Sequence, residues 1–331
     1  MSNETELRQA LATAGMNGTY NEIRLMEGTY FTGGQKFSYS TSAARSLSIS
    51  GGWYNDHDPC DFQHSRADGT IIDGQHVTAV LSIDGSISNA PGTSVSISNL
   101  TLRNGATSTN GESAALAVFG GTGQDLRVQN IAVWGSHNTT PPPQNIFSNV
   151  VTFYGYADVY FINNLIGDSD GPYANLGIFT SSTSQTVYMH NNTLALNCCS
   201  FGALLDASGG TAFRLVNNAI LGQVELNSRD ANNPIRLWLY DNLGVWGYHS
   251  IVTAPSIQAS VGNDLETNPG FIGPLDFRPA ANSPLVNRGL NAPIGGSSTF
   301  DLESNTRVDL GTIDVGAYES TRERIFANGF N

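Results

Sequence analysis

Two carboxylates in this 331-residue chain fall where stacked strands would bring them close enough to act on a glycosidic bond. They are Asp206, in the segment 203–206, and Glu225, in the segment 224–227. Aligned with 178–181, these segments read as equivalent strands, and alternation sends Ile178, Ala203 and Val224 inward with Thr180, Leu205 and Leu226. Two outward rows result: Phe179, Leu204 and Glu225, and Ser181, Asp206 and Asn227. Asp206 and Glu225 are then diagonal neighbours, with Cβ atoms about 7–8 Å apart. That separation lies within the roughly 6.5–9.5 Å used by an inverting acid/base pair, and it also suits a cation facing an anionic sugar. Against this stands the plainer expectation that the rows are a solvated sheet face, which the acidic composition favours.

A second group suits elimination across a uronic acid, which needs a base near the ring proton and a group to neutralise the carboxylate. Lys36 is the only lysine, so the candidates are Arg214, Arg229, Arg236, His190 and Tyr240. Alternation points Tyr188, Arg214 and Trp238 to one face, an aromatic–arginine–aromatic row. Such a row is a platform for a sugar, and equally a cation–π ladder serving only the outer surface. The substrate-binding expectation is therefore Phe179, Tyr188, Arg214, Trp238 and Asn227. Asp168 and Asp170 have calcium-loop spacing without the later ligands of an EF-hand, so Ca2+ is the one cofactor the chain offers. Asp56, His57, Asp58, Asp61 and His64 form the densest ionisable cluster, read as a solvated loop in preference to a metal site.

These residues are positioned by a phrase that recurs six times, an apolar strand, an asparagine, then another short apolar strand. Aligned on Asn99, Asn130, Asn164, Asn192, Asn218 and Asn242, the steps are 31, 34, 28, 26 and 24 residues. A period in this range built from strands predicts a solenoid whose repeats bury a core only by stacking. Each repeat must bend sharply between two strands, and asparagine tolerates the left-handed backbone that such a bend needs. Asparagines of successive repeats then stack about 4.8 Å apart, close enough for their amides to bond along the axis. Their role is structural.

The fold class is thus all-β, a β-helix, in one domain over 1–320. Leu7, Ala10, Leu11 and Ala14 have helical spacing, with Asn3 or Thr5 as N-cap, so 1–30 forms a cap over the apolar end. From 250 to 320 prolines exclude central strands, and this part is expected to wrap over the far end as a second cap. Residues 321–331 read as an appended mobile tail.

Composition narrows the partners. The net charge of −13 argues against nucleic acid, which needs a basic footprint. No segment approaches a membrane span, and the first residues lack a basic and apolar signal region, leaving an intracellular protein or a trimmed mature form. Cys198 and Cys199 are adjacent and poorly placed to pair with each other; a bridge from Cys60 to either, or free thiols, both remain open.

The segments around Ile23–Tyr30, Ser50–Trp53 and Thr70–Gly74 resemble the pectate-lyase-like superfamily of right-handed parallel β-helices. The ending is more specific. Phe277, then Asn282–Gly289, Asp301–Arg307 and Gly311–Glu319, is similar to the choice-of-anchor Q module. That resemblance implies an exported bacterial protein at the cell surface or outside the cell, and the tail 325–330 resembles those of exported gamma-proteobacterial proteins. The superfamily's lyase and hydrolase motifs do not appear: the chain has no Asn-Thr-Asp, no Asp-Asp pair and no Arg-x-Lys. The expectation is a monomer that binds, and in the enzymatic reading cleaves, a polysaccharide or cell-surface glycan along its outer sheet face. The alternatives are a non-catalytic adhesin or structural module, and a polysaccharide lyase.

Overall fold

The computed structural model describes residues 1–18, 20–54, 62–85, 90–141, 145–180, 185–196, 201–207, 210–228, 230, 232–244, 257–262, 265, 267–308 and 311–320. The expected loop cluster Asp56, His57, Asp58 and Asp61, the three cysteines, Ser181, Arg229 and the tail 321–331 lie outside these residues.

The chain is nearly all-β, with long parallel sheets that curl round a shared core. The first sheet has seven parallel strands: Phe37–Ser40, Leu81–Asp84, Leu116–Phe119, Val151–Tyr154, Ala174–Thr180, Phe201–Ala207 and Gln223–Ser228. A second row runs Tyr20–Met26, Ser46–Tyr54, Ser94–Arg103, Asp125–Trp134, Asp158–Ile162, Thr186–His190, Ala212–Val216, Ile235–Tyr240 and Ile257–Gly262. A third row includes Gly28–Phe31, Thr70–Asp73, Leu165–Ser169, Thr193–Leu196, Ala219–Ile220 and Leu243–Gly244. Ser94–Arg103 and Asp125–Trp134 belong to both rows, because each strand turns a corner midway. Each strand therefore pairs with its counterpart one repeat away, and the inward-facing Val, Ile, Leu, Phe and Met of all three rows form one continuous core.

The corner residues explain the recurring asparagine. Asn99, Asn130, Asn163, Asn191, Asn217 and Asp241 all have φ between 54° and 59°, the left-handed region that Asn and Asp enter most readily among residues with a side chain. In the last four repeats this corner residue is one position earlier than the asparagine on which the sequences align. The residue after it takes a separate task. Asn164, Asn192, Asn218 and Asn242 are fully buried and form a ladder in which each Nδ2 donates to the next Oδ1 at 2.9–3.1 Å. Each Oδ1 also accepts the preceding rung's backbone N–H at 3.0–3.1 Å, and each Nδ2 of the last three rungs reaches a carbonyl one strand back. Asn99 and Asn130 keep both expected roles, since Asn130 Nδ2 donates to Asn99 Oδ1 at 3.0 Å, and in the last four repeats a second asparagine takes over the buried ladder.

Helix Glu4–Met16 buries Leu7, Leu11 and Ala14 against the first strands. Asn3 is its N-cap, accepting from the Glu6 amide, while Glu6 accepts from the Ser2 amide in return.

The proline-rich C-terminal segment lies elsewhere than expected. It runs back along the outside of the repeats. Leu285 and Val315 pack on Ala219 and Leu243, Ala317 donates to Thr193 Oγ1, Phe277 packs 5.6 Å from Trp134, and Leu302 accepts from the Ala67 amide. The corner asparagines hold this strap. Asn217 Nδ2 donates to Leu290 O at 2.9 Å and its Oδ1 accepts from Leu290 N at 2.7 Å. Asn191 and Asn163 donate to Asp314 O and Phe300 O.

Candidate functional site

Strand register divides the expected site residues between two faces. On the first sheet Phe179 pairs with Asp206 and Asp206 with Asn227, while Gly177, Leu204 and Glu225 form the neighbouring row. Phe179 thus stands two positions from its expected row, and Ile178 aligns with Leu205 in place of Ala203. The cause is an unequal number of residues leading into each strand, which composition alone does not reveal. Asp206 and Glu225 remain diagonal neighbours. They are not solvated: Asp206 is 7%, Glu225 8% and Asn227 6% exposed. Phe179 and Leu204 lie in an apolar patch with Ala174, joined by Phe147, Tyr154, Tyr173 and Phe201, and Phe147 meets Phe179 edge-on at 4.8 Å. The solvated-face expectation fails here, because aromatic residues of the adjoining loops fold over the sheet.

Tyr188, Arg214 and Trp238 occur on the second row, so the five expected substrate-binding residues do not form one site. The three are register partners as expected, and the row extends further, through Arg127 and Tyr160. Arg127 lies over Tyr160 at 4.3 Å, Tyr160 stacks on Tyr188 at 4.8 Å and 10°, and Arg214 lies over Trp238 at 4.5 Å. Successive side chains one strand apart must touch, so a run of flat groups stacks into a ladder. Burial pushes the Tyr160 phenol upward, with Asp158 beside it adding to the effect.

The strap crosses this ladder in the middle. Gly295 sits on Tyr188 with φ +105°, where any Cβ would come within 2.3 Å of the ring. Its neighbour Gly296 places a carbonyl 2.7 Å from His190 Nδ1. His190 is sealed from solvent, and its Nε2 has no hydrogen-bond partner. Burial drives its pKa down to about 4, outweighing the Gly296 contact that favours the charged form. His190 is therefore neutral at pH 7 and out of reach of a polymer.

On either side of this crossing a cavity opens. One, of about 320 Å³, is lined by Arg214, Val216, Trp238 and Tyr240 from the sheet and Leu290, Pro293 and Ile294 from the strap. It brings together three of the expected residues, and Arg214 Nε within it is buried with no hydrogen-bond partner. The other, of about 290 Å³, lies between the sheet and Ser298–Phe300. Sequence reasoning missed the second cavity, because only the strap closes it.

Asp168 occupies a left-handed position with φ 45°, and Asp170 Oδ1 meets His137 Nδ1 at hydrogen-bond distance. His64 pairs with Glu27 at 2.7 Å and stacks on Tyr54 at 4.3 Å. Among the described residues no group of three or more His, Cys, Asp or Glu side chains could hold a metal ion, and no helix is long and apolar enough to cross a membrane. Arg236 donates to Gly210 O at the edge of the second row.

Compared with family models, curated proteins and solved structures, the chain matches none.

Proposed function

We propose that this chain is a right-handed parallel β-helix displayed outside the cell, which binds a polysaccharide in the cavity formed by Arg214, Trp238 and Tyr240. Three parallel rows per repeat, with a left-handed residue at one corner, support the fold reading. The resemblance of Asn282–Glu319 to the choice-of-anchor Q module supports the location.

The carrying observation is the cavity itself. Its 320 Å³ lies at the small end of the roughly 300–1,000 Å³ range of ligand pockets. It combines an indole, a phenol and an unpaired guanidinium N–H, which suits a sugar ring with apolar faces and polar rims. Glycan binding here requires no bond to break, so an adhesin is the nearest variant of this reading.

Asp206 and Glu225 carry a separate hydrolytic reading on the first sheet, favoured by their diagonal register. Incubation with acidic and neutral polysaccharides, with and without calcium, separates the cases. New reducing ends that vanish in Asp206→Asn and Glu225→Gln indicate hydrolysis. Unsaturated products that vanish in Tyr240→Phe indicate elimination. Retention of a glycan without either product, lost in Trp238→Ala, is the outcome expected of the binding reading.

A further inference from the structure

We infer that the second cavity is a binding site for a small oxyanion, a sulfate or phosphate group. It is lined by Ser65, Ser96, Ser98, Asn99, Arg127, Gln129, Asn130, Ser298, Thr299 and Phe300. None of these is acidic, although the chain carries a net charge of −13. Arg127 makes no ion pair among the described residues, and Tyr160 beneath it fixes the guanidinium plane.

A chain of amides leads into the cavity, and its direction is fixed from the far end. Arg307, which can only donate, gives Nη2 to Asn163 Oδ1. That contact turns Asn163 Nδ2 toward Asn130 Oδ1, at 2.6 Å. Asn130 Nδ2 in turn donates to Asn99 Oδ1 at 3.0 Å. Asn99 Nδ2 is the last group in the series, and it donates to no described residue. Each amide in the chain donates toward Asn99, a residue of the cavity lining, and aligned hydrogen bonds polarise one another. Ser298 Oγ accepts from Phe300 N, which leaves its hydroxyl hydrogen to donate. The lining therefore offers donors on both walls: Asn99 and Arg127 on the sheet, and the Ser298 hydroxyl on the strap. A cation would meet the wrong end of each of these dipoles.

This site is independent of the glycan reading of the neighbouring cavity. The test is calorimetric titration of the whole protein with sodium sulfate and with sodium phosphate, against sodium chloride at matched ionic strength. Saturable one-to-one binding of either anion is expected, and the tighter of the two identifies the group recognised. Arg127→Gln, a surface change, should weaken it about tenfold or more, as loss of a charge-assisted hydrogen bond does. Asn99→Asp, which keeps the left-handed corner but puts an acceptor in the donor's place, should abolish it. Arg236→Gln, outside the cavity, should bind as wild type. Two results overturn the inference: no saturation beyond the chloride baseline, or wild-type affinity in Arg127→Gln.

Discussion

Arg307 and Asn163 lie 144 positions apart, yet the Arg307 guanidinium donates to the side-chain oxygen of that corner asparagine. Arg307 is 1% exposed and also donates to Glu319 Oε1 at 2.8 Å, while the Asp314 amide donates to both Glu319 oxygens. The strap is thus locked to the repeats through one buried guanidinium. Removing the guanidinium leaves the buried oxygens of Asn163 and Glu319 without its donors, at about 1–3 kcal/mol each. Arg307→Met should lower stability by that amount in a denaturant titration, whereas a change below 1 kcal/mol would show that the lock does not form.

The same cluster sets a pH dependence. Burial raises the Glu319 carboxyl to about 8, with the Arg307 charge opposing and Asp314 reinforcing. The folded state then holds a proton that the unfolded state has released, so stability falls as pH rises from about 4.5 to about 8. His190 acts in the opposite sense. Its folded pKa of about 4 against 6.5 makes stability rise with pH across that interval. Between about pH 6.5 and 8 only the Glu319 effect operates of these two. The melting temperature should decline over that window in the wild type and stay level in Glu319→Gln. Parallel profiles for the two proteins would contradict this account.

The two asparagine rows should respond differently to substitution. Asn218→Ala removes a donor to Met189 O and Asn242 Oδ1 and the acceptor of both Asn192 donors, all in the core. Unsatisfied buried groups cost about 1–3 kcal/mol each, so a loss of roughly 3 kcal/mol or more is expected. Asn217→Gly keeps the left-handed corner and loses only two bonds to the strap, about 1–2 kcal/mol. Equilibrium unfolding of the pair decides it, and the reverse order of cost would show that the ladder is not the stronger element.

Much of this arrangement is legible in the sequence, but not all of it. The period, the parallel repeats and the Tyr188–Arg214–Trp238 row follow from alternation, because adjacent strands repeat the same pattern. The doubling of asparagine at 163–164, 191–192 and 217–218, against single asparagines at 99 and 130, is the signal that two roles exist. The register of Phe179 with Asp206 is not legible, because loop length, not strand pattern, sets where a strand starts. The two cavities were illegible, since their outer walls come from residues 290–300, far along the chain and without the repeat's periodicity.

Gly295 permits the strap to lie on Tyr188. Gly295→Ala adds a Cβ where the ring stands and holds φ +105°, a conformation costing about 1–3 kcal/mol for a residue with a side chain. The strap should lift, water should reach His190, and its titration midpoint in an NMR experiment should move up from about 4 toward the ordinary 6.5. An unchanged midpoint would mean that the strap does not seal the histidine.

The central claim is glycan binding at the cavity of Arg214, Trp238 and Tyr240. The direct test is calorimetry of wild type, Arg214→Ala, Trp238→Ala and Asp206→Asn with the polysaccharide that a panel shows the wild type to retain. Affinity should fall about tenfold or more in the first two variants and stay unchanged in Asp206→Asn, which lies on the other face. No retained glycan, or wild-type affinity in both Arg214→Ala and Trp238→Ala, would contradict it.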